Sequence, residues 1–299
     1  MRNPLSKTIE QIKPSGIRKF FDIVSEMPHA ISLGVGEPDF DTPWHVRSEG
    51  IRSLEKGRTF YTSNSGLIEL RQEICKWYQR KYNVLYDYKT EALLTVGGSE
   101  GIDVALRAML DPGDEVIIPE PCYVSYVPCV QLIGAVPVTI ELKNENQFRL
   151  TSEELLAAIT DKTKILILAF PSNPTGAVMT KEDLEPIAKI CQEKDIYVIS
   201  DEIYSELTYG GQKHCSISSL PGMKERTIVI NGFSKAYAMT GWRLGYALAP
   251  EVIAHQMTKI HQFAIMCAPT TSQYAAIEAI KNGDADIEKM CKSYDQRRR

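Results

Sequence analysis

Apolar and polar positions follow two different periods along most of the chain. Residues 66–82 carry apolar side chains at helical spacing and predict a helix. From residue 92 onwards, short β-branched runs predict strands, and helical stretches lie between several of them. The predicted strands are Ala92–Val96, Glu115–Ile118, Val136–Ile140, Lys164–Phe170, Ile196–Ser200 and Thr227–Ile230.

Two of the predicted helices have recognisable ends. The helix Ser99–Leu110 stops at the breaker Asp111-Pro112-Gly113, and the helix Thr180–Lys194 opens on a capping-box pattern with an acid at Asp183. Strands that alternate with helices favour an α/β fold with a mostly parallel sheet and helices on both faces. The run Ile165–Leu168 has no polar alternation, which is typical of a strand buried on both faces.

The two ends of the chain depart from this pattern. Residues 1–45 are irregular and rich in proline and glycine, and they predict an arm that does not fold alone. Residues 287–294 have helical spacing, and the chain then stops at Arg297-Arg298-Arg299 without a cap or a breaker. Because a helix end needs partners for its last carbonyl groups, we expect this chain to be part of a longer protein.

Composition narrows the class of protein. The 299 residues are 43% hydrophobic and 24% charged, which excludes a disordered or fibrous chain. The net charge of −4 disfavours nucleic acid or an anionic membrane as a partner, even with three arginines at the end. The longest apolar runs are strand-sized, so we predict no membrane span and no signal peptide.

Cysteine and histidine usage adds expectations about the compartment and about metals. Seven scattered cysteines without a CxxC pair predict reduced, mostly buried thiols in a cytoplasmic protein, rather than disulfides or a zinc site. The five histidines show no metal-ligand spacing, so no metal is expected. His255 and His261 are expected on the surface of a helix.

Candidate chemistry is sought directly after the strands, because ligands of parallel sheets bind beyond the carboxyl ends of the strands. Gly97-Gly98-Ser99-Glu100-Gly101 follows the first strand and opens a helix, which favours a phosphate site. The same residues match G-x-S-x-G, the nucleophile elbow of serine hydrolases, whose histidine would be His214, His255 or His261. A tight turn without chemistry is the third interpretation.

Three later segments also place functional groups at strand ends. Asn173 stands between prolines after the fourth strand, which holds its amide rigidly. Asp201 and Tyr204 follow the fifth strand, where a carboxylate either caps a helix or meets a cation. Lys235 and Arg243 follow the sixth, where a desolvated amine becomes a nucleophile toward carbonyl carbon and a guanidinium can clamp a phosphate.

Taken together, these residues resemble the class I/II aminotransferases, which are fold-type I enzymes that use pyridoxal 5′-phosphate (PLP). The matching motifs, in chain order, are Gly36-Glu37-Pro38-Asp39-Phe40, Tyr61-Thr62…Gly66…Leu70-Arg71, Gly97-Gly98-Ser99, Asn173-Pro174-Thr-Gly176, Asp201-x-x-Tyr204 and Ser234-Lys235…Arg243. The resemblance covers nearly the whole chain and is closest to aspartate and broad-specificity aminotransferases.

The resemblance implies the architecture of the PLP-dependent transferases. Its large domain, a seven-stranded, mostly parallel sheet between helices, would occupy residues 46–281. An N-terminal arm and small-domain segment would occupy residues 1–45. Residues 282–299 would begin a helix that leads into a C-terminal small domain.

The resemblance also implies roles at the cofactor ring. Lys235 would form the Schiff base (the internal aldimine) with PLP and then move a proton between the substrate Cα and the cofactor. Asp201 would pair with the pyridinium nitrogen and keep it protonated. Asn173 and Tyr204 would hydrogen-bond the 3′-oxygen of the ring, and Tyr123 would stack on the ring face.

Other matching residues would hold the phosphate and the substrate. The implied phosphate ligands are Gly98, Ser99, Ser234 and Arg243, together with Tyr61 from the other subunit of a homodimer. Gly36 and Asn173 would lie against the substrate. In the family, the arginine that clamps the substrate α-carboxylate comes from a region beyond the position of residue 299.

The function implied by the resemblance is transfer of an amino group between an L-amino acid and a 2-oxo acid. Two alternatives keep the same cofactor. One is a carbon–sulfur β-lyase, because the substrate bond that is broken depends on which bond stands perpendicular to the ring. The other is a non-catalytic PLP-binding module, if residue 299 is the native end.

Overall fold

A seven-stranded sheet organises the protein, which is described by a computed structural model for residues 2–14, 23, 26–27, 29 and 36–299. Its strands are β1 (Ala92–Thr95), β2 (Glu115–Glu120), β3 (Val136–Glu141), β4 (Thr163–Ala169), β5 (Tyr197–Asp201), β6 (Thr227–Gly232) and β7 (Gly245–Leu248). Their order across the sheet is β1-β7-β6-β5-β4-β2-β3. Strands β2 to β6 are parallel to one another, and β7 runs antiparallel to both β1 and β6. The predicted α/β fold is confirmed.

Strand β7 was missed by the sequence prediction, whereas the other six strands agree within two residues. It has only four residues, Gly-Tyr-Ala-Leu, and none of them is β-branched. Its register pairs Thr95 of β1 with Gly245, and Gly245 with Gly232 of β6. Strand β7 therefore joins the strand that precedes the glycine-rich turn to the strand that precedes Lys235.

Ten α-helices accompany the sheet in the described residues. They are α1 (Lys7–Gln11), α2 (Trp44–Glu55), α3 (Ile68–Tyr82), α4 (Gly97–Met109), α5 (Tyr126–Leu132), α6 (Ser152–Ala158), α7 (Lys181–Glu193), α8 (Glu251–Ala264), α9 (Thr270–Asn282) and α10 (Asp284–Arg298). The predicted capping box is present, since Thr180 and Asp183 exchange side chain–backbone hydrogen bonds at the start of α7. Helix α4 begins at Gly97, two residues earlier than predicted.

The sheet lies between two layers of helices. Helices α4, α5 and α8 pack on one face, and α3, α6, α7 and α9 supply the buried side chains of the other. Strand β4 shows why its apolar run has no alternation: Ile165 and Ile167 enter the first core, while Leu166 and Leu168 enter the second. Burial on both faces, as predicted from that run, is confirmed.

Residues 37–40 of the N-terminal arm contact Thr240 and the end of α10. The hydroxyl of Thr240 donates to the Glu37 carboxylate at 2.6 Å. Arg297 binds Asp39 and lies 5.3 Å from the centre of the Phe40 ring. Residues 30–35 of the predicted arm lie outside the described residues.

The structure shows what the terminal arginines contact and how far the cysteines are buried. Arg298 and Arg299 both bind Asp295, so these charges are paired along α10. All seven cysteines are free thiols; Cys75 and Cys191 are buried and the other five are half-buried. No helix in the described ranges is long and apolar enough to cross a membrane.

Candidate active site

The candidate residues meet at the carboxyl edge of the sheet. Asp201 is the last residue of β5, and Lys235 lies three residues after the end of the adjacent strand β6. The turn from β1 into α4 reaches the same region, because β7 is the one strand that separates β1 from β6 in the sheet. The strand-end rule used above therefore brings distant segments of the sequence to one place.

Asp201 is a buried carboxylate with no cation among its described contacts. One of its oxygens accepts the Tyr126 hydroxyl at 2.8 Å, and the other accepts the backbone N–H of Ile203 at 3.1 Å. Burial raises the pKa of Asp201, while those two hydrogen bonds lower it and the neighbouring charge of Glu202 raises it. Such a group is stabilised when a ligand brings a protonated nitrogen to it.

Lys235 is a half-buried amine whose pKa is lowered. The cause is mainly burial; Arg243 lowers the pKa further, and Glu37 opposes both. The Nζ atom donates a hydrogen bond to the carbonyl of Gly36 and lies 5.6 Å from the centre of the Tyr204 ring. A lowered pKa increases the fraction of neutral amine, which is the form that attacks a carbonyl carbon.

Tyr204 connects the lysine to the other predicted ring ligands. Burial raises the pKa of Tyr204, as do the nearby Asp201 and Tyr123, whereas a hydrogen bond with the Asn173 side chain lowers it. Asn173 is exposed at the mouth of the site, and Tyr204 is half-buried. Three other residues predicted at the cofactor ring, Asp201, Tyr123 and Asn173, thus influence the Tyr204 hydroxyl.

The turn from β1 into α4 has features that suit the binding of an anion. Helix α4 has no side-chain cap at its N-terminus, so no capping side chain binds the N–H groups of its first turn. Gly97 has φ +74°, and a Cβ built on it would lie 2.6 Å from a guanidinium nitrogen of Arg243. Gly98 is half-buried and Ser99 is exposed in the first turn of the helix. A guanidinium and free N–H groups here form a cradle of the kind that binds phosphate.

Backbone packing fixes this turn closely. A Cβ on Gly245 would lie 2.6 Å from the carbonyl carbon of Gly97 and 2.7 Å from the nitrogen of Gly98. Only glycine permits β7 to approach the turn at that distance. Arg243 itself has φ +52°, a left-handed conformation that directs the chain from the lysine segment into β7.

The buried carboxylate, the amine and the anion cradle fit the three ends of PLP, namely its ring nitrogen, its carbonyl carbon and its phosphate. Tyr123 is half-buried, and its ring centre lies 5.6 Å from that of Tyr126. Ser234 is buried directly before the lysine. Tyr61, by contrast, is on the surface with 79% of its area exposed.

Two functional groups escaped the sequence interpretation. The first is Tyr126, at the start of α5, whose hydroxyl donates to Asp201; no local pattern in the sequence pointed to this contact. The second is Glu202, which is fully buried and accepts hydrogen bonds from Tyr78 and from Ser216 at 3.1 and 2.6 Å. Two carboxylates in succession therefore end β5, each with its own donors.

The serine hydrolase interpretation lacks its histidine. His261 is fully buried and contacts Glu100 at 2.6 Å, so its expected place on a helix surface was wrong. It lies on the same stripe of α8 as the buried Ala254 and Met257, which accounts for its burial. His214 faces Glu202 at 3.4 Å. His255 is exposed and contacts its neighbour Gln256.

Comparisons with known proteins agree on one family. The family described as "Aminotransferase class I and II" matches residues 28–299. An aspartate aminotransferase of Pyrococcus abyssi is 46% identical over 99% of this chain and 76% of its own length. The aromatic-amino-acid aminotransferase 2 of Thermococcus litoralis is 44% identical over 98% of this chain and 76% of its own.

Solved structures show the same fold. The aspartate aminotransferase of Thermus thermophilus with maleate superposes with a TM-score of 0.94 at 37% identity, covering all of this chain and 78% of that one. This chain thus spans about three quarters of the length of the proteins it matches. The comparisons favour amino-group transfer over the carbon–sulfur lyase and the non-catalytic module.

Proposed function

The chain belongs to the class I and II aminotransferase family, and we propose that it transfers amino groups with PLP held between Lys235 and Asp201. The observation that carries this proposal is the pair of strand ends: a buried acid without a cation ends β5, and an amine of lowered pKa follows β6. The substrates are an L-amino acid and a 2-oxo acid.

Asp201 is assigned to the ring nitrogen. When bound, PLP supplies an electron sink for the electron pair released at the substrate Cα. A buried carboxylate stabilises a proton on the ring nitrogen, and that proton improves the sink. Tyr126 and the Ile203 N–H fix the direction of the carboxylate, so that its remaining lone pairs can meet the nitrogen.

Lys235 is assigned to covalent attachment of the cofactor and to proton transfer. Its amine would hold the carbonyl carbon of bound PLP and, once released by a substrate amine, would take the proton from the substrate Cα. A lowered pKa favours both roles, because it increases the fraction of neutral amine, which is the form that attacks a carbon and accepts a proton. The Gly36 carbonyl, which binds the ammonium in this structure, would lie beside the substrate.

The remaining assignments orient the ring. Gly98, Ser99, Ser234 and Arg243 would hold the phosphate and so anchor one end of the cofactor. Asn173 and Tyr204 would bind the 3′-oxygen of the ring, and Tyr123 would lie against the ring. Fixed orientation supplies much of the catalysis, since it converts an encounter into an internal reaction.

We extend the proposal to assembly and domain organisation. Tyr61 would reach the phosphate of a partner subunit in a homodimer, which is consistent with the exposed aromatic surface of Phe60, Tyr61 and Phe263. Residues 46–281 would form the PLP-binding domain, with 1–45 and 282–299 belonging to the arm and to a small domain. Seven free thiols favour a cytoplasmic location.

The test is the visible absorbance of the protein mixed with PLP. Wild type is expected to gain an absorbance band that amino acids convert to the amine form, while Lys235→Ala lacks the band. Lys259→Ala, at an exposed lysine on α8, is the matched control and keeps it. A wild-type protein that stays colourless with added PLP refutes the proposal.

A further inference from the structure

Glu100 and His261 form a buried pair beneath the turn from β1 into α4, and we propose that this pair positions the turn for the cofactor phosphate. The inference rests on the proposed function, because it concerns the same cradle. Neither side chain belongs to the phosphate ligands assigned above. Glu100 therefore acts through the backbone of Val96, and His261 acts through Glu100.

The pair has a defined geometry. One oxygen of the Glu100 carboxylate accepts the backbone N–H of Val96, the residue directly before the helix. The other oxygen lies 2.6 Å from Nδ1 of His261. The two side chains are 9% and 0% exposed, respectively. The pair thus connects the first turn of α4 to α8 on the far side of the turn.

This arrangement replaces the usual way in which a helix starts. A helix normally begins with a Ser, Thr, Asp or Asn side chain that binds the N–H groups of its first turn. Helix α4 has no such cap, and its Ncap residue is Val96. Glu100 fixes Val96 from inside the helix, so the N–H groups of Gly98 and Ser99 stay available to an external anion.

The turn needs external support because its own residues supply little. Gly97 and Gly98 have no side chains, and Gly97 has φ +74°. The Gly245 backbone and Arg243 lie close against the turn. Glu100 holds the turn through the N–H of Val96.

His261 keeps Glu100 in place. Its ring is buried, and Nε2 has no hydrogen-bond partner in the described part of the chain. The contact between Nδ1 and Glu100 is consequently the polar contact that orients the ring. Burying a histidine ring in this stripe of α8 costs desolvation free energy unless the ring makes such a polar contact.

A purely structural role would make the same pair a clamp between α4 and α8. The two roles differ in what they do to ligands. A clamp affects global stability and every ligand alike, whereas a positioning residue for the turn affects ligands that carry a phosphate. Pyridoxal, which is PLP without its phosphate, separates the two.

The experiment compares equilibrium dissociation constants of PLP and pyridoxal, measured by absorbance titration of the apoprotein. Glu100→Gln is expected to raise the dissociation constant of PLP about tenfold and that of pyridoxal less than about twofold. Asp103→Asn is the control: it removes a carboxylate one turn later on α4, where Asp103 binds Arg107. It is expected to leave both constants unchanged.

Substitutions of His261 provide the second test. His261→Gln lacks a donor at the Nδ1 position and is expected to reproduce the effect, and it replaces Glu100→Gln if that variant does not fold. His261→Asn keeps a donor near that position and is expected to restore most of the PLP affinity.

Two outcomes overturn the inference: no change for PLP in Glu100→Gln, or an equal rise for PLP and pyridoxal. A wild-type protein that binds neither ligand refutes the proposed function instead.

Discussion

Replacing Tyr126 by phenylalanine removes the hydroxyl donor to Asp201 and changes little else. The tyrosine is 2% exposed, its hydroxyl lies 2.8 Å from the carboxylate, and its ring packs in the core of α4, α5 and α8. The ring remains in Tyr126→Phe, so no cavity of consequence forms. The variant leaves one oxygen of a buried carboxylate without its protein donor.

The cost depends on whether Asp201 is charged. A hydrogen bond to a charged group contributes about 1.5–3 kcal/mol, and one between neutral groups about 0.5–1.5 kcal/mol. Burial already raises the pKa of Asp201, and loss of the Tyr126 hydroxyl raises it further. The unliganded variant is therefore expected to be less stable by about 1.5–3 kcal/mol once Asp201 is ionised in both proteins.

The pH dependence follows from linkage. An acid whose folded pKa is raised binds more protons in the folded state, so stability falls as pH rises from the ordinary carboxyl value through the folded pKa. In Tyr126→Phe this fall continues to higher pH. The stability difference between wild type and variant should therefore widen as pH rises through the two folded pKa values and then stay constant.

Urea unfolding of the apoprotein across the pH range in which both proteins fold measures this difference. Tyr123→Phe is the control, because its hydroxyl makes no contact with Asp201 among the described hydrogen bonds. A difference that does not vary with pH, or a variant as stable as wild type at neutral pH, would refute the assigned role of Tyr126.

Two further predictions concern packing and a surface charge cluster. Gly245→Ala is expected to lower the free energy of unfolding by about 1–3 kcal/mol and to weaken PLP binding, because the added Cβ would clash with the backbone of the Gly97–Gly98 turn. Urea unfolding and PLP titration measure the two effects, and Gly241→Ala, with open space around the added Cβ, is the control. Burial lowers the pKa of His45, but hydrogen bonds to Asp286 and Glu278 outweigh this effect, so the pKa is raised. The contact therefore stabilises the fold at pH values below the ordinary histidine pKa, and this stabilisation is lost as the pH rises through the folded pKa. Wild type should lose its advantage over His45→Gln, at most about 1 kcal/mol, over that interval; an advantage that grows with pH contradicts the assignment.

The sheet was largely predictable because its strands carry the signal of burial. Runs such as Ile165–Leu168 need two apolar faces, and β-branched residues mark the other strands. Strand β7 lacks both signals. Gly245 is required there by its contact with the Gly97 backbone, so close packing and not strand propensity determined its sequence.

The functional site, like the sheet, could be predicted from the sequence only in part. Asp201 and Lys235 could be found because strand ends and burial make an acid and an amine unusual there. Tyr126 could not, because its hydroxyl meets Asp201 through the packing of α5 on the sheet, which no local spacing encodes. His261 was misplaced because a polar residue type outweighed its position on the buried stripe of α8.

Since β7 separates β1 from β6, synthesis on the ribosome sets when the site can first exist. Thr95 can pair with Gly245 only after Gly245 has left the ribosome, so β1 stays unpaired while β2 to β6 are synthesised. Pairing over such a distance in the sequence is slow to form. A nascent chain shorter than residue 248 lacks the complete strand that brings β1 beside β6, and its unpaired strand edges make it prone to aggregation.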